Sequence, residues 1–228
     1  MDPQASTEMP EKGSAVNGLS YSLKTCRGKG LCPFGLLEIG PIVKSVETAL
    51  DDSGWDMHLK RHHPKGIRPH DRLRIAVAAC PNGCSQPHIH DIGLIAASRP
   101  SEITRGCTGC GLCGKTCREA AIFVQGGRAV TRAAACLSCG ECAKACPAHA
   151  ILRAPLGFRL LLGGHMGRHP TWATELHGVY PPDQIASIIH TLASLLLREA
   201  REGERPSQTF ARLGFGHIES LIGAPRHD

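Results

Sequence analysis

The sequence predicts an α+β chain interrupted by a cysteine-rich insert, and three observations carry that reading. Two apolar runs of strand length, 73–80 (LRIAVAAC) and 92–97 (IGLIAA), stand in the first half of the chain. A long amphipathic helical pattern, 183–204, stands near the end. Between them, within 105–153, lie eight of the twelve cysteines. With 42% hydrophobic and 20% charged residues the composition excludes wholesale disorder, and 228 residues suffice for one large domain or two small ones.

Taken in order, residues 1–20 are polar, lack the apolar stretch of a secretory signal, and read as a disordered tail. Residues 21–34 hold Cys26 and Cys32. In 35–50, apolar positions at 36, 37, 39, 42, 43, 46 and 50 predict a helix beginning near Pro41. Residues 51–72 read as a polar loop; its basic stretch at 60–74 and His58, His62, His63 and His70 are expected to be solvated. The run 73–80 predicts a buried strand ending at Cys80, followed by a turn-rich CPNGCSQPHIHD and a second strand at 92–97. His88 and His90 alternate beside that turn, facing either a cofactor or solvent. Within the insert, AIFVQGGRAVT is a hairpin pattern around Gly126-Gly127. GFRLLLGGHMGRHP (157–170) predicts a strand running into a Gly-rich turn. Asp183 is placed to cap the helix over 183–204, whose apolar residues recur at 185, 188, 189, 192, 195 and 196. A last short helix is expected over about 207–222.

Several function classes fall away. The longest apolar run, 185–197, contains His190, Thr191 and Ser194 and is too short to span a bilayer, so no membrane partner is expected. A cytoplasmic location follows as an expectation, and there cysteine clusters mean metal or catalysis rather than disulfides. The net charge is +6, but Lys and Arg are scattered and aromatics number only nine, which speaks against nucleic acid. A positive balance suits small anions and acidic cofactors.

The insert carries the sharpest signal. Residues 107–117 (CTGCGLCGKTC) and 136–146 (CLSCGECAKAC) are both C-x2-C-x2-C-x3-C, repeated at an interval of 29 residues. Zinc sites use separated C-x2-C pairs, not four cysteines in eleven residues. Segment 105–153 resembles the bacterial two-cluster ferredoxin domain. The resemblance implies two [4Fe–4S] clusters, one held by Cys107, Cys110, Cys113 and Cys146, the other by Cys136, Cys139, Cys142 and Cys117. Arg118 stands where the first motif usually has proline, and a positive charge there is expected to raise a cluster potential.

The other four cysteines are spaced C-x5-C (Cys26, Cys32) and C-x3-C (Cys80, Cys84). By spacing alone they fit zinc, or a cubane with or without a haem. The combination resembles the cluster motif of the nitrite and sulfite reductases that use sirohaem, and with it the expected fold is a single reductase-type repeat, 21–104 and 154–228, with the ferredoxin domain inserted. The resemblance implies a third [4Fe–4S] cluster on Cys26, Cys32, Cys80 and Cys84, with Cys84 also bridging to the sirohaem iron. It likens GGHMGRHP (163–170) to the loop that contacts sirohaem and 201–214 to the C-terminal tail. Gly163, Gly164 and Gly167 are then expected beside the macrocycle and Arg168 beside its carboxylates. An inserted ferredoxin domain is the arrangement of dissimilatory and anaerobic sulfite reductases.

The larger enzymes have two tandem repeats, and the 179 residues outside the insert are room for about one. The first repeat, source of most anion-binding Arg and Lys residues, has no counterpart here, so catalytic residues stay unassigned. Arg27, Lys29 and the stretch 60–74 are candidates by charge only. The expectations are multi-electron reduction of a small oxyanion, sulfite first and nitrite second, a soluble low-potential electron donor, and a homodimer or partner subunit completing the site. The rivals are an iron–sulfur electron-transfer subunit without sirohaem, and a sirohaem enzyme acting on an unrelated substrate.

Overall fold

Two runs with almost no charge become the centre of a mixed sheet. In the computed structural model, which describes residues 15–17, 20–28 and 30–225, the strands are β1 (Ala15–Asn17), β2 (Tyr21–Thr25), β3 (Leu73–Ala78), β4 (Ile92–Ala97), β5 (Pro100–Ile103), β6 (Ile122–Gln125), β7 (Arg128–Thr131), β8 (Ile151–Arg153), β9 (Gly157–Leu162) and β10 (Thr174–Glu175). The helices are α1 (Gly40–Asp52), α2 (Trp55–His62), α3 (Leu112–Thr116), α4 (Glu141–Lys144), α5 (Ile185–Glu199), α6 (Pro206–Leu213) and α7 (Phe215–Ile222). The main sheet runs β1-β2-β3-β4-β9-β10. β2, β3 and β4 are parallel, with Thr25 opposite Val77 and Ala78 opposite Ile95. β9 returns antiparallel to β4, from Ile92 opposite Leu162 to Ala97 opposite Gly157.

Alternation along these strands sorts the two faces. Leu23, Ile75, Val77, Ile92, Leu94, Phe158 and Leu160 point into one core, which α1 and α5 cover side by side. Ile188, Ile189, Leu192 and Leu196 of α5 are essentially fully buried there. Each such side chain contributes about 1.5–3 kcal/mol of burial. On the opposite face Ala78, Ile95 and Leu161 form a much smaller cluster, packed with Ala173. The insert is a separate small layer, the pair β5–β8 and the hairpin β6–β7, with Ile122 opposite Thr131 and the left-handed Gly126-Gly127 at the turn.

Four expectations are corrected. The tail expected over 1–20 includes strand β1, which pairs with β2 through Val16 opposite Leu23; residues 1–14, 18 and 19 lie outside the described residues. The loop expected over 51–72 contains helix α2, which starts from left-handed Gly54 and buries Trp55 and Leu59, one turn apart. Asp183 makes no cap hydrogen bond; a 3-10 turn, Pro182–Gln184, leads into α5, which ends at Glu199. The last helix is two, broken at Gly214 (φ 86°).

Candidate metal centres

Parallel strands deliver the first four thiols to one edge. Cys26 follows β2 and Cys80 lies two residues past β3, so both stand at the carboxyl ends of neighbouring strands, and the Cys26 N–H donates to Val77 O at 3.3 Å. The C-x5-C loop folds back: Cys32 N–H donates to Gly28 O (3.0 Å), and Leu36 N–H to Ala79 O (2.8 Å). The C-x3-C turn is closed by Gly83 N–H on Cys80 O (3.2 Å) and pinned by the buried Ser85 hydroxyl on Val77 O (2.9 Å). Ala79 N–H reaches Cys26 Sγ at 3.1 Å. Burial pushes the Cys80 thiol above its ordinary pKa, and the charges of Cys26, Cys32 and Cys84 push it further. Cys84 is the exposed member.

In the insert the 29-residue repeat is also a repeat of conformation. Gly111 and Gly140 are left-handed and begin the short helices α3 and α4. Ala120 (φ 49°) and His149 (φ 48°) take the same left-handed turn three residues after the last cysteine of each run. In each turn the next N–H points at that cysteine: Ala121 N to Cys117 Sγ at 3.2 Å, Ala150 N to Cys146 Sγ at 3.3 Å. Ala129 N–H reaches Cys107 Sγ and Ser138 N–H reaches Cys136 Sγ, both at 3.4 Å. Donors aimed at sulfur favour thiolate and tune the potential of an iron–sulfur group.

Two cavities sort the eight cysteines. Cys107, Cys110, Cys113 and Cys146 line the smaller one. Cys117, Cys136, Cys139 and Cys142 line the larger one. Burial pushes the Cys142 thiol to about 11, with Cys139, Cys136 and Cys117 adding to the shift. Bound cations reverse such a preference and deprotonate the thiols. The observed donor sets therefore fit iron–sulfur groups. Among the described residues no three Cys, His, Asp or Glu side chains close on a single ion; the thiols stand around shared spaces.

The larger cavity is a seam. Its other wall is Phe34, Cys80, Pro81 and Asn82 from the main sheet. The second cysteine run is anchored there at its root: Ser98, directly after β4, donates its N–H to Ser138 O at 2.7 Å and bridges to Cys139. The hydroxyls of Ser98 and Ser138 are buried with no hydrogen-bond partner. The set containing Cys117 and Cys136 thus adjoins the third set through Cys80, while the Cys107 set has its own cavity.

The Gly-rich loop is held from beneath. Asp91, 1% exposed, accepts hydrogen bonds from Arg74 N (2.9 Å), Nε and Nη2 (both 3.2 Å). Arg74 Nη2 continues to Gly164 O at 3.3 Å, and Gly163 N–H donates to Asp91 O at 2.9 Å. A Cβ on Gly164 would lie 2.5 Å from His88 O and 2.8 Å from His90 O, so this glycine answers a backbone crossing within the chain. Gly163 likewise lies against the Phe215 ring, whereas Gly167 and Arg168 are exposed. Met166 and Trp172 project from the same loop, 54% and 73% exposed, and the Trp172 ring stands edge-on to His88 at 5.8 Å. Burial lowers the pKa of both His88 and His90. Arg27 is exposed beside Cys26, and Lys29 lies outside the described residues. The His-rich stretch stays away from the cysteines: His58, His62, His63 and His70 line a groove with the 200–206 loop. Sequence reasoning missed Phe34, Asp91, Ser98 and Ser138: Ser138 lies within the second cysteine run, between two cysteines, and the other three lie outside both runs.

The family model described as nitrite and sulphite reductase 4Fe-4S domain matches residues 20–226. Coenzyme F420-dependent sulfite reductase of Methanocaldococcus jannaschii is 30% identical over 193 residues, which cover 84% of this chain and 29% of that protein. The fold is shared with dissimilatory sulfite reductase I, at a TM-score of 0.59 and 16% identity, over 95% of this chain and 55% of the other. The chain thus spans less than a third of the curated relative and about half of the solved one. With the match running through all three cysteine sets, the chain belongs to the nitrite and sulphite reductase 4Fe-4S domain family.

Proposed function

We propose that this chain is the cluster-bearing repeat of a sulfite reductase, with nitrite as second substrate, holding three [4Fe–4S] clusters and a sirohaem. The observation that carries the reading is the seam, where Cys80 of the main sheet and Cys117, Cys136, Cys139 and Cys142 of the insert wall one cavity. The cysteines would hold the clusters in the order Cys107 set, Cys117/Cys136 set, Cys26/Cys80 set. Clusters supply single electrons, and a sirohaem supplies an iron at which a small oxyanion is reduced. The chain's own residues fix the arrangement: the Ser85 hydroxyl holds the turn that presents Cys84, and the Arg74–Asp91 pair holds the Gly-rich loop. Arg168, exposed beside Met166 and Trp172, suits the carboxylate edge of a planar tetrapyrrole whose face those apolar side chains would cover. A soluble low-potential donor would feed the insert, and a second copy or partner subunit would bring the missing anion-binding cations.

The deciding experiment is a cofactor inventory on anaerobically purified protein, with turnover of sulfite and nitrite under a low-potential donor. The reading expects about twelve cluster irons and one extractable tetrapyrrole per chain. A second reading, an electron-transfer subunit without tetrapyrrole, draws on the packing of Gly163 and Gly164 against the chain's own atoms. Full cluster iron with no haem absorption band would favour it.

A further inference from the structure

The two walls of the seam are joined at the root by backbone, through Ser98 and Ser138. Away from the root, one contact between them is a pair of side chains. The Arg118 guanidinium lies over the Phe34 ring, 5.6 Å from its centre. Both residues line the seam cavity.

Each member is tied to a cysteine set. Phe34 sits two residues after Cys32, in a loop fixed on both sides by Gly35 N–H to Cys32 O (3.1 Å) and Leu36 N–H to Ala79 O (2.8 Å). Arg118 directly follows Cys117, whose carbonyl accepts from Ala120 N–H (3.2 Å) and whose sulfur accepts from Ala121 N–H (3.2 Å). Phe34 is 40% exposed, so the ring lies at the surface of the seam and not in the core. The pair thus links the loop that follows Cys32 to the residue that follows Cys117.

We propose that the Arg118–Phe34 contact is a positioning element that sets the separation between the second and third cysteine sets, and hence the magnetic and electronic coupling of the clusters they would hold. It rests on the three-cluster reading above. The role requires a flat cation stacked on a ring, not charge alone, so lysine does not replace Arg118.

The test uses the full chain, cluster-loaded and chemically reduced under anaerobic conditions, with electron paramagnetic resonance as the readout. Arg118→Lys, Phe34→Leu and the double variant are compared at equal iron content. The expected result is loss of inter-cluster splitting in each single variant, with no further loss in the double, because both break one contact. Wild-type splitting in Arg118→Lys, or additive losses in the double variant, would overturn the proposal. A wild-type chain with about eight cluster irons instead of about twelve would remove the third cluster itself and the proposal with it, a failure visible in the iron count before any variant is made.

Discussion

The main sheet and the insert are stabilised by different means. Behind the main sheet thirty buried apolar residues form one cluster, closed by the fifteen-residue α5. The insert has five, two of them Cys113 and Cys142, and its longest helix is the five-residue α3. Its surface between residues 99 and 153 carries eight arginines and lysines against three glutamates. Such a segment, with cysteines for a core and cations outside, has too little apolar burial to order itself. The lesson is that in the proposed holoprotein the sheet folds by burying hydrocarbon and the insert by binding iron.

The largest expected effect breaks that comparison directly. Stripping iron with a chelator is expected to abolish hydrogen-exchange protection throughout 105–153 while β3, β4 and α5 stay protected; equal loss in both regions would show that the insert is part of the sheet's cooperative unit. Next, Cys142→Ser is expected to lower iron per chain by about one third, since one cubane of three is lost. The main sheet should melt as before.

The sheet has its own polar weak point. Asp91→Ala leaves Arg74 without its carboxylate and frees the Gly-rich loop. A loss of about 3 kcal/mol, read from the denaturation midpoint of the main-sheet transition, is expected. Gly164→Ala drives a methyl into the His88 and His90 carbonyls and should cost about 1–3 kcal/mol in the same transition. The smallest effect concerns α6. The hydrogen bond from Arg212 holds Glu204 down at about 2, with Arg201 N–H and the Thr209 hydroxyl helping. A carboxyl lowered on folding contributes its stability above its unfolded value, 4.5, and loses it as pH falls toward the folded one. Glu204→Gln should therefore lower Tm by the same few degrees at every pH between about 6 and 8, a window above both values. A pH-dependent difference there would assign the shift elsewhere.

How much was legible in the sequence differs between the two regions for the same reason. The insert is marked by its cysteine spacing and glycines; the division of its thiols into two sets came from the family resemblance and not from the repeat alone. The strands around Ile75 and Leu94 and the long α5 were legible because their burial is continuous or periodic. Helix α2 was not, because a basic octet hides one buried pair, Trp55 and Leu59. Strand β1 was not, because a three-residue edge strand in a polar segment is too short to show a periodic pattern. The Arg118–Phe34 contact joins residues far apart in sequence, and no local pattern marks it. Gly163 and Gly164 stood out as part of a Gly-rich turn, but the atoms of the chain that a Cβ there would meet, the Phe215 ring and the His88 and His90 carbonyls, are far away in sequence and carried no local signal.

The cavities of the insert also constrain how such a segment can change. Each takes three cysteines from one run and the fourth from the other, Cys146 lying with the Cys107 run and Cys117 with the Cys136 run. Neither half of the duplication is thus self-sufficient. On the three-cluster reading proposed above, deleting either one would leave both cavities short of four thiols, so the two runs would work only as an interlocked pair.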